Sequence, residues 1–442
     1  MISKHSAWRQ ARTTPSLQEN YQTIETQPSW PWWRKLLAFA GPGYLVAVGY
    51  MDPGNWATDL AAGSKFNYTL LSIILLSNLM AVLLQHLAGK LGIVTGRDLA
   101  QACRDHFSPV VSFILWVLCE IAICACDLAE VIGSAIALKL LFNIPLIWGV
   151  CITTLDVFAL LYFQKLHFKY IEIIVIILMS IIGGCFWFEI AVSHPDLGAI
   201  MAGLVPNSDI LCNPEMLFIA IGIIGATVMP HNLYLHSSIV QTRKYADTLE
   251  GKKEAIKYTT IDTTIALSLA FFVNAAILIV AASVFYANGY YDVNDIEEAY
   301  KLLAPLVHVP LASTLFALAL LASGQNSTLT GMLAGQIVME GFINIRLVPW
   351  LRRLVTRGLA IVPAIICIFL YGDSGIPYLM LVSQIVLSFQ LGFAVIPLIM
   401  FTSDKKKMGD LANSLWINVL AWTSAFLIIG LNIKFLFDFF VS

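Results

Sequence analysis

Long apolar runs, separated by short polar stretches, fill most of this chain from residue 37 onward. They predict about eleven spans, at roughly 37–63, 68–92, 109–141, 145–164, 168–193, 215–241, 258–287, 305–342, 347–371, 376–402 and 411–437. Most reach the about 18 apolar residues that a membrane helix needs, and none shows the weak ten-residue alternation of a β-barrel strand. The fold class expected is therefore an all-α integral membrane protein with about eleven transmembrane helices. Residues 109–141 exceed the bilayer's requirement, so that helix is expected to tilt or protrude. Residues 1–36 are polar and lack an apolar core ending in a small-residue cleavage site, which predicts a disordered cytosolic tail.

Composition agrees. Of 442 residues, 58% are hydrophobic and 12% charged, with mean hydropathy +0.78, against roughly 45–50% and 25% in a soluble domain. The net charge of −2 says little about partners, and no basic tract or zinc-finger spacing suggests nucleic acid. Six of the eight cysteines (Cys119, Cys124, Cys126, Cys151, Cys185, Cys367) fall in apolar runs without a CxxC pair, so they read as small buried hydrophobes. With a cytosolic N-terminus, 22 of the 26 Lys and Arg lie on the inside, leaving Lys65, Lys139, Lys301 and Lys434 outside. An odd number of spans then puts the C-terminus outside. Trp30, Trp32 and Trp33 beside Arg34 and Lys35 suit an interfacial anchor.

The first span contains Asp52-Pro53-Gly54-Asn55, where a missing amide hydrogen and a missing side chain predict unwinding. In lipid, the freed carbonyls are tolerated only where protein, water or a ligand meets them. The sixth span contains Met229-Pro230-His231-Asn232, which superposes Pro230 on Pro53 and Asn232 on Asn55. Spans one and six are thus matching members of two five-span halves. Because five is odd, the halves are inverted, and paired breaks of this kind mark a midplane substrate site. The organisation expected is a tail at 1–36, a first repeat at 37–193, a second at 215–402 and an additional span at 411–442.

If the breaks face each other, the Asp52 carboxylate, the Asn55 amide oxygen, the Met229 thioether and carbonyls such as that of Ala226 converge. An acid, neutral oxygens and a sulfur make a cation site. An oxygen-only cage suits Mg²⁺ or Ca²⁺, whereas a thioether adds attraction for softer metals, favouring Mn²⁺ or Fe²⁺ as substrate. Met as plain core filler is the competing reading. The third span carries Glu120, Asp127 and Glu130 on one stripe, buried in an apolar run where ionisable groups are functional candidates. A proton relay ending in pairs with Arg352, Arg353 or Arg357 accommodates both a transport and a structural role. His231 reads as a residue beside the ligands or linked to protons, or as a buried hydrogen-bonding histidine. Asp59, four after Asn55, is expected at a mouth of the pathway; Asp156 and Glu189 as paired or interfacial acids; and Asp292 to Glu298 as a solvated outer loop.

These two motifs, with Gly324-Gln-Asn-Ser-Thr-Leu-Thr-Gly-Met-Leu-Ala-Gly-Gln-Ile-Val-Met-Glu-Gly-Phe342, resemble the Nramp family of divalent metal transporters over about residues 35–440. The resemblance is to bacterial proton-dependent manganese transporters in particular. It implies a LeuT-type fold with two inverted five-helix repeats and broken helices 1 and 6, in the bacterial cytoplasmic (inner) membrane. It implies import of Mn²⁺, Fe²⁺ and related ions with protons, no cofactor, and metal ligands at Asp52, Asn55, Met229 and the Ala226 carbonyl. The same likeness adds Gln384 as a residue that approaches the metal on outward closure, Asp127 and Glu130 to the proton path together with Asp52, and His236 to pH coupling. Asn326 and Met332 depart from the usual family wording, while Met229 is the residue that relatives carrying Mg²⁺ or Al³⁺ lack.

Enzyme readings fail for want of an HExxH, GxSxG or Walker lysine motif. A sodium-coupled small-solute transporter of the same architecture is the nearest alternative, but Asp52 and Met229 do not suit a substrate carboxylate. A cation channel is the second alternative, which the paired breaks disfavour. Metal ions, protons and the bilayer are the partners expected, with the chain acting as a monomer.

Overall fold

The computed structural model describes residues 8–155 and 168–441. Asp156, Lys165 and the end of the expected 145–164 span lie outside the described residues, as does Lys4. After the short helix Trp32–Phe39, Pro42 opens the first half of the first span, α1 (Pro42–Gly49), and Pro53 opens its continuation, α2 (Pro53–Phe66), so the span is cut where the sequence predicts. There follow α3 (Leu71–Thr95), α4 (Pro109–Phe142), α5 (Leu146–Thr153) and α6 (Phe168–Ser193). The sixth span is again two pieces, α7 (Pro214–Val228) and α8 (Pro230–Ile239). The later long helices are α9 (Leu249–Val280), α10 (Pro310–Ile343), α11 (Pro349–Tyr371), α12 (Ile376–Ser403) and α13 (Leu415–Val441), with short helices such as Leu99–His106 and Ile296–Val307 in the connections.

Among the described residues, seven helical stretches are long and apolar enough to cross a membrane by length and composition, one of them running through both α11 and α12. The broken first span escapes that criterion because neither piece is long enough. α4, at 34 residues, extends for about 50 Å, well beyond the roughly 30 Å hydrocarbon layer, so the expected excess length is real.

Packing centres on the broken helices. α4 lies against α10, α11 and α12, α9 against α1 and α3, and α7 against α12. The core around α1, α2, α7 and α8 is almost wholly buried, whereas α13 and the outer stripe of α6 present Trp187, Trp416 and Phe426 outward, as lipid-facing surfaces do.

Three expectations need correction. The tail is not disordered over its described part: residues 8–27 cross the face of the bundle that carries the N-terminus, and Ile24–Glu25 pairs in parallel with Arg243–Lys244. The apolar run 305–342 is two helices, because Pro310 starts α10 and forces Val309 into extended backbone, so Ile296–Val307 ends at His308 with φ +56°. Asp292 to Glu298 is not a plain loop: Asp295 caps the helix Ile296–Val307, and Glu297 pairs with Lys139 and Lys301 at 2.7 Å each.

Candidate metal site

Breaking a helix in a dry interior frees carbonyls, and each here is met. The Tyr50 carbonyl accepts from Asn274 Nδ2 at 2.7 Å, and that of Met51 from Trp56 Nε1 at 3.3 Å and Ser323 Oγ at 2.5 Å. Across the site, the Val228 carbonyl accepts from the Tyr50 hydroxyl at 3.4 Å and the Ala226 carbonyl from Asn55 Nδ2 at 3.0 Å. The first break is thus tied directly to the second.

Asp52 caps α2, its Oδ1 accepting from the Asn55 amide N at 2.8 Å and from Asn55 Nδ2 at 2.7 Å. Its Oδ2 accepts from the Cys126 thiol, at 3.9 Å. Ion pairs among the described residues leave Asp52 out, although it is 0% exposed. A buried carboxylate without a cation loses several kcal/mol of hydration, more than two hydrogen bonds of about 1.5–3 kcal/mol each comfortably restore. The position therefore favours a cation beside it.

Asn55 lies between the carboxylate and the opposite repeat. Its Oδ1 accepts from Asn274 Nδ2 at 3.2 Å. A half-turn of the amide exchanges its ends and brings Oδ1 beside Asp52 Oδ1 and the Ala226 carbonyl. Three oxygens so close repel unless a cation lies among them. The displaced Nδ2 then faces Asn274, whose own Oδ1 is buried without a hydrogen-bond partner.

Met229 ends α7 and begins α8 at φ +39°, in the left-handed region that side chains avoid at a cost of about 1–3 kcal/mol. Its sulfur accepts from Asn232 Nδ2 at 3.4 Å, and the side chain packs with Cys126, Ala122 and Leu387. The strained backbone thus holds the thioether beside Cys126, the residue that Asp52 also contacts. Gln384 lies against Gly54, where an added Cβ would stand 2.1 Å from Nε2, and its Oε1 is buried without a partner.

The structure therefore joins Asp52, Asn55 and the Ala226 carbonyl by hydrogen bonds, with Met229 next to Cys126, which Asp52 also contacts, and Gln384 packed on Gly54. The charged stripe on α4 is matched by α11. Arg352 forks onto Glu120 at 2.9 and 3.0 Å, Arg353 reaches Asp127 at 2.6 Å and Glu130 at 3.3 Å, and Arg357 approaches Glu130 at 3.7 Å. Cys126 joins the two systems, 3.9 Å from Asp52 and 3.8 Å from Glu130.

The two histidines stand apart from the ligands. His231 is buried with Nδ1 unpartnered. His236 is lodged between α3 and α9, its ring nitrogens 2.9 Å from the Gln85 carbonyl and 3.3 Å from Thr263 Oγ1, so it is not interfacial. Glu189 is not paired: it is 1% exposed and neither oxygen has a hydrogen-bond partner among the described residues. Asp59 is buried rather than at a mouth. Asn274 and Cys126 were not picked out from the sequence; an amide in the middle of an apolar run was the available signal for the first, and nothing distinguished the second from its neighbouring cysteines.

Ion pairs and hydrogen bonds flank the site on two sides. On one side, a cavity of about 280 Å³ is lined by Ala61, Ile219 and Leu381, and Lys65 at its rim bonds Glu215 and, at 3.5 Å, Asp292. On the N-terminal face, Arg243 binds Glu172 at 2.6 Å and the Ala40 carbonyl at 3.0 Å, while Asp262 accepts from the amides of Gly41 and Gly43 at 3.2 and 2.6 Å. Gly41, at φ +142°, has no room for a Cβ, which would fall 2.1 Å from the Glu172 carboxyl carbon.

Comparison with known proteins agrees with this geometry. The Nramp family profile, described as natural resistance-associated macrophage protein-like, matches residues 43–438. A protein of Nostoc sp. named divalent metal cation transporter MntH is 63% identical over 418 residues, covering 95% of each chain. The protein of that name from Listeria monocytogenes is 62% identical over 431 residues, covering 98% of this chain and 96% of its own. Among solved structures, the Eremococcus coleocola manganese transporter in complex with an aromatic bis-isothiourea compound has TM-score 0.88 and 43% identity, covering 95% of this chain and 90% of that one. MhsT in complex with L-phenylalanine, at TM-score 0.60 and 14% identity over 90% of this chain and 97% of that one, shares the LeuT-type fold alone. With a family profile that spans most of its length and relatives 62% and 63% identical, this chain belongs to the Nramp family.

Proposed function

We propose that this protein is a proton-coupled secondary transporter that imports Mn²⁺, and also Fe²⁺ and similar ions, across the bacterial cytoplasmic membrane by alternating access. One observation supports the reading most: a fully buried carboxylate without a basic partner, Asp52, is bonded to the Asn55 amide that reaches the Ala226 carbonyl of the opposite break, and it shares the neighbour Cys126 with the Met229 thioether. The names of its relatives and of its solved neighbour, divalent metal cation and manganese transporters, support that substrate class.

The N-terminus is cytosolic and the C-terminus outside, as the Lys and Arg distribution favours. The repeats run over 37–193 and 215–402, with 411–442 added, and the chain works as a monomer. Metal arrives through the cavity rimmed by Glu215 and Asp292, and Asp52, Asn55, the Ala226 carbonyl and Met229 replace its water. Gln384 closes over it from α12. Entry of the cation displaces a proton from Asp52 toward Glu130, past Cys126, and onward along Asp127 and Glu120, whose arginine partners stabilise each carboxylate. His231 and His236 tune the movement of α8 with pH. Release inward requires that α1 and α8 part from Arg243, Glu172 and Asp262.

Uptake into proteoliposomes with a pH dye inside tests the reading. Mn²⁺ entry with internal acidification is expected. Uptake without acidification, or uptake driven by a sodium gradient, overturns it.

A further inference from the structure

Resting on the alternating-access reading above, we infer that residues 8–27 are a strap that holds the inner side shut and must let go for the substrate to leave. The segment is threaded through three separate parts of the cytosolic face.

Its first part sits on the connection between α3 and α4. The amides of Arg9 and Gln10 donate to the Asp105 carbonyl at 2.9 and 3.2 Å, and Ser16 Oγ donates to Asp98 Oδ2 at 2.7 Å. The Trp8 ring lies 5.5 Å from that of Phe401, at the end of α12, with the Arg97 guanidinium 4.8 Å above it. Its middle is held by the end of α10. The Leu17 amide donates to Glu340 Oε2 at 3.1 Å, and Arg346 donates to Gln18 Oε1 at 2.7 Å and Thr14 Oγ1 at 2.8 Å. Its last part follows the chain that leaves α8. Gln22 N donates to the Gln241 carbonyl at 3.0 Å, Thr26 N to that of Lys244 at 3.1 Å, and the parallel pair of Ile24 with Arg243 lies between.

Two features argue that this is a specified contact and not a tail lying on a surface. Leu17 is 7% exposed and packs in the main core although its φ is +53°, a strained conformation for a branched apolar residue. The strap also ends on Arg243 itself, the residue that clamps Glu172 and the Ala40 carbonyl across the inner route. The chain leaving α8 cannot swing away from the end of α10 while one segment is bonded to both. Each bond is weak alone, but together they bias the closed arrangement.

The test uses the full chain with its eight native thiols replaced and Val46→Cys as reporter, a position 0% exposed on α1 behind the inner closure. A water-soluble maleimide is supplied from the cytosolic side. Two variants are compared with this parent: one lacking residues 8–27, and one carrying Ser16→Ala, Leu17→Ser and Arg346→Ala. Labelling about tenfold faster in the variants is expected, and a rate within about twofold of the parent, in whichever variant keeps the parent's melting temperature, overturns the strap. The triple variant decides if the deletion does not fold. Labelling needs neither metal nor transport, so failure of the transport reading leaves this result separately readable.

Discussion

Asn55 Nδ2 lies 3.0 Å from the Ala226 carbonyl oxygen, so a side chain of the first broken helix reaches the backbone of the second. On the proposed function, the substrate binds beside that bond, where the two breaks meet. Removing the acid beside it, by Asp52→Ala, is expected to lower Mn²⁺ uptake by roughly a hundredfold, with Asn55→Ala nearer tenfold, as for losses in a metal's coordination sphere. Initial-rate uptake in proteoliposomes measures both.

Met229 supplies the one soft donor among the proposed ligands. Met229→Ala leaves oxygen ligands only, which hard cations prefer. Weaker Mn²⁺ binding together with new Ca²⁺ or Mg²⁺ uptake is the expected outcome, read by isothermal calorimetry and by flux. Unaltered selectivity would show that the sulfur is packing material.

Gly54 is small because Gln384 comes so close. Gly54→Ala puts a methyl 2.1 Å from Gln384 Nε2, which blocks closure over the site. Transport is expected to fall at least about tenfold and to recover in part when Gln384→Ala is added, since neighbouring residues do not act additively. A double-mutant cycle on the uptake rate distinguishes this from general damage.

Arg353 and Asp127 are each 1% exposed and 2.6 Å apart. Arg353→Ala strands a buried acid and is expected to destabilise the protein by about 3–5 kcal/mol, visible as a lower unfolding temperature. Glu130→Gln keeps the shape of its side chain but cannot ionise. Metal uptake that persists while internal acidification fades is the expected result, and acidification at the native rate would remove Glu130 from the proton route.

Much of this site was legible from three residues. Pro53 and Pro230 are backbone-breaking by covalent structure, so their matching positions survive any packing, and Asp52 in an apolar run needed a reason. Cys126 and Asn274 were invisible because their importance comes from which helices pack together, α4 on α12 and α9 on α1, and not from their own runs. The tail failed for a related reason. Its polar residues satisfy partners such as Asp98, Glu340 and Arg346 that lie far off in sequence, while local composition looked only unstructured. The division at His308 was available in Pro310 but was outweighed by an apolar run that continued through it.

The most direct measurement is anomalous scattering from crystals soaked with Mn²⁺, collected at the manganese edge. The account predicts one strong peak between the Asp52 carboxylate, Asn55, the Ala226 carbonyl and the Met229 sulfur, lost in Asp52→Ala. A peak elsewhere, or one that survives that substitution, would contradict it.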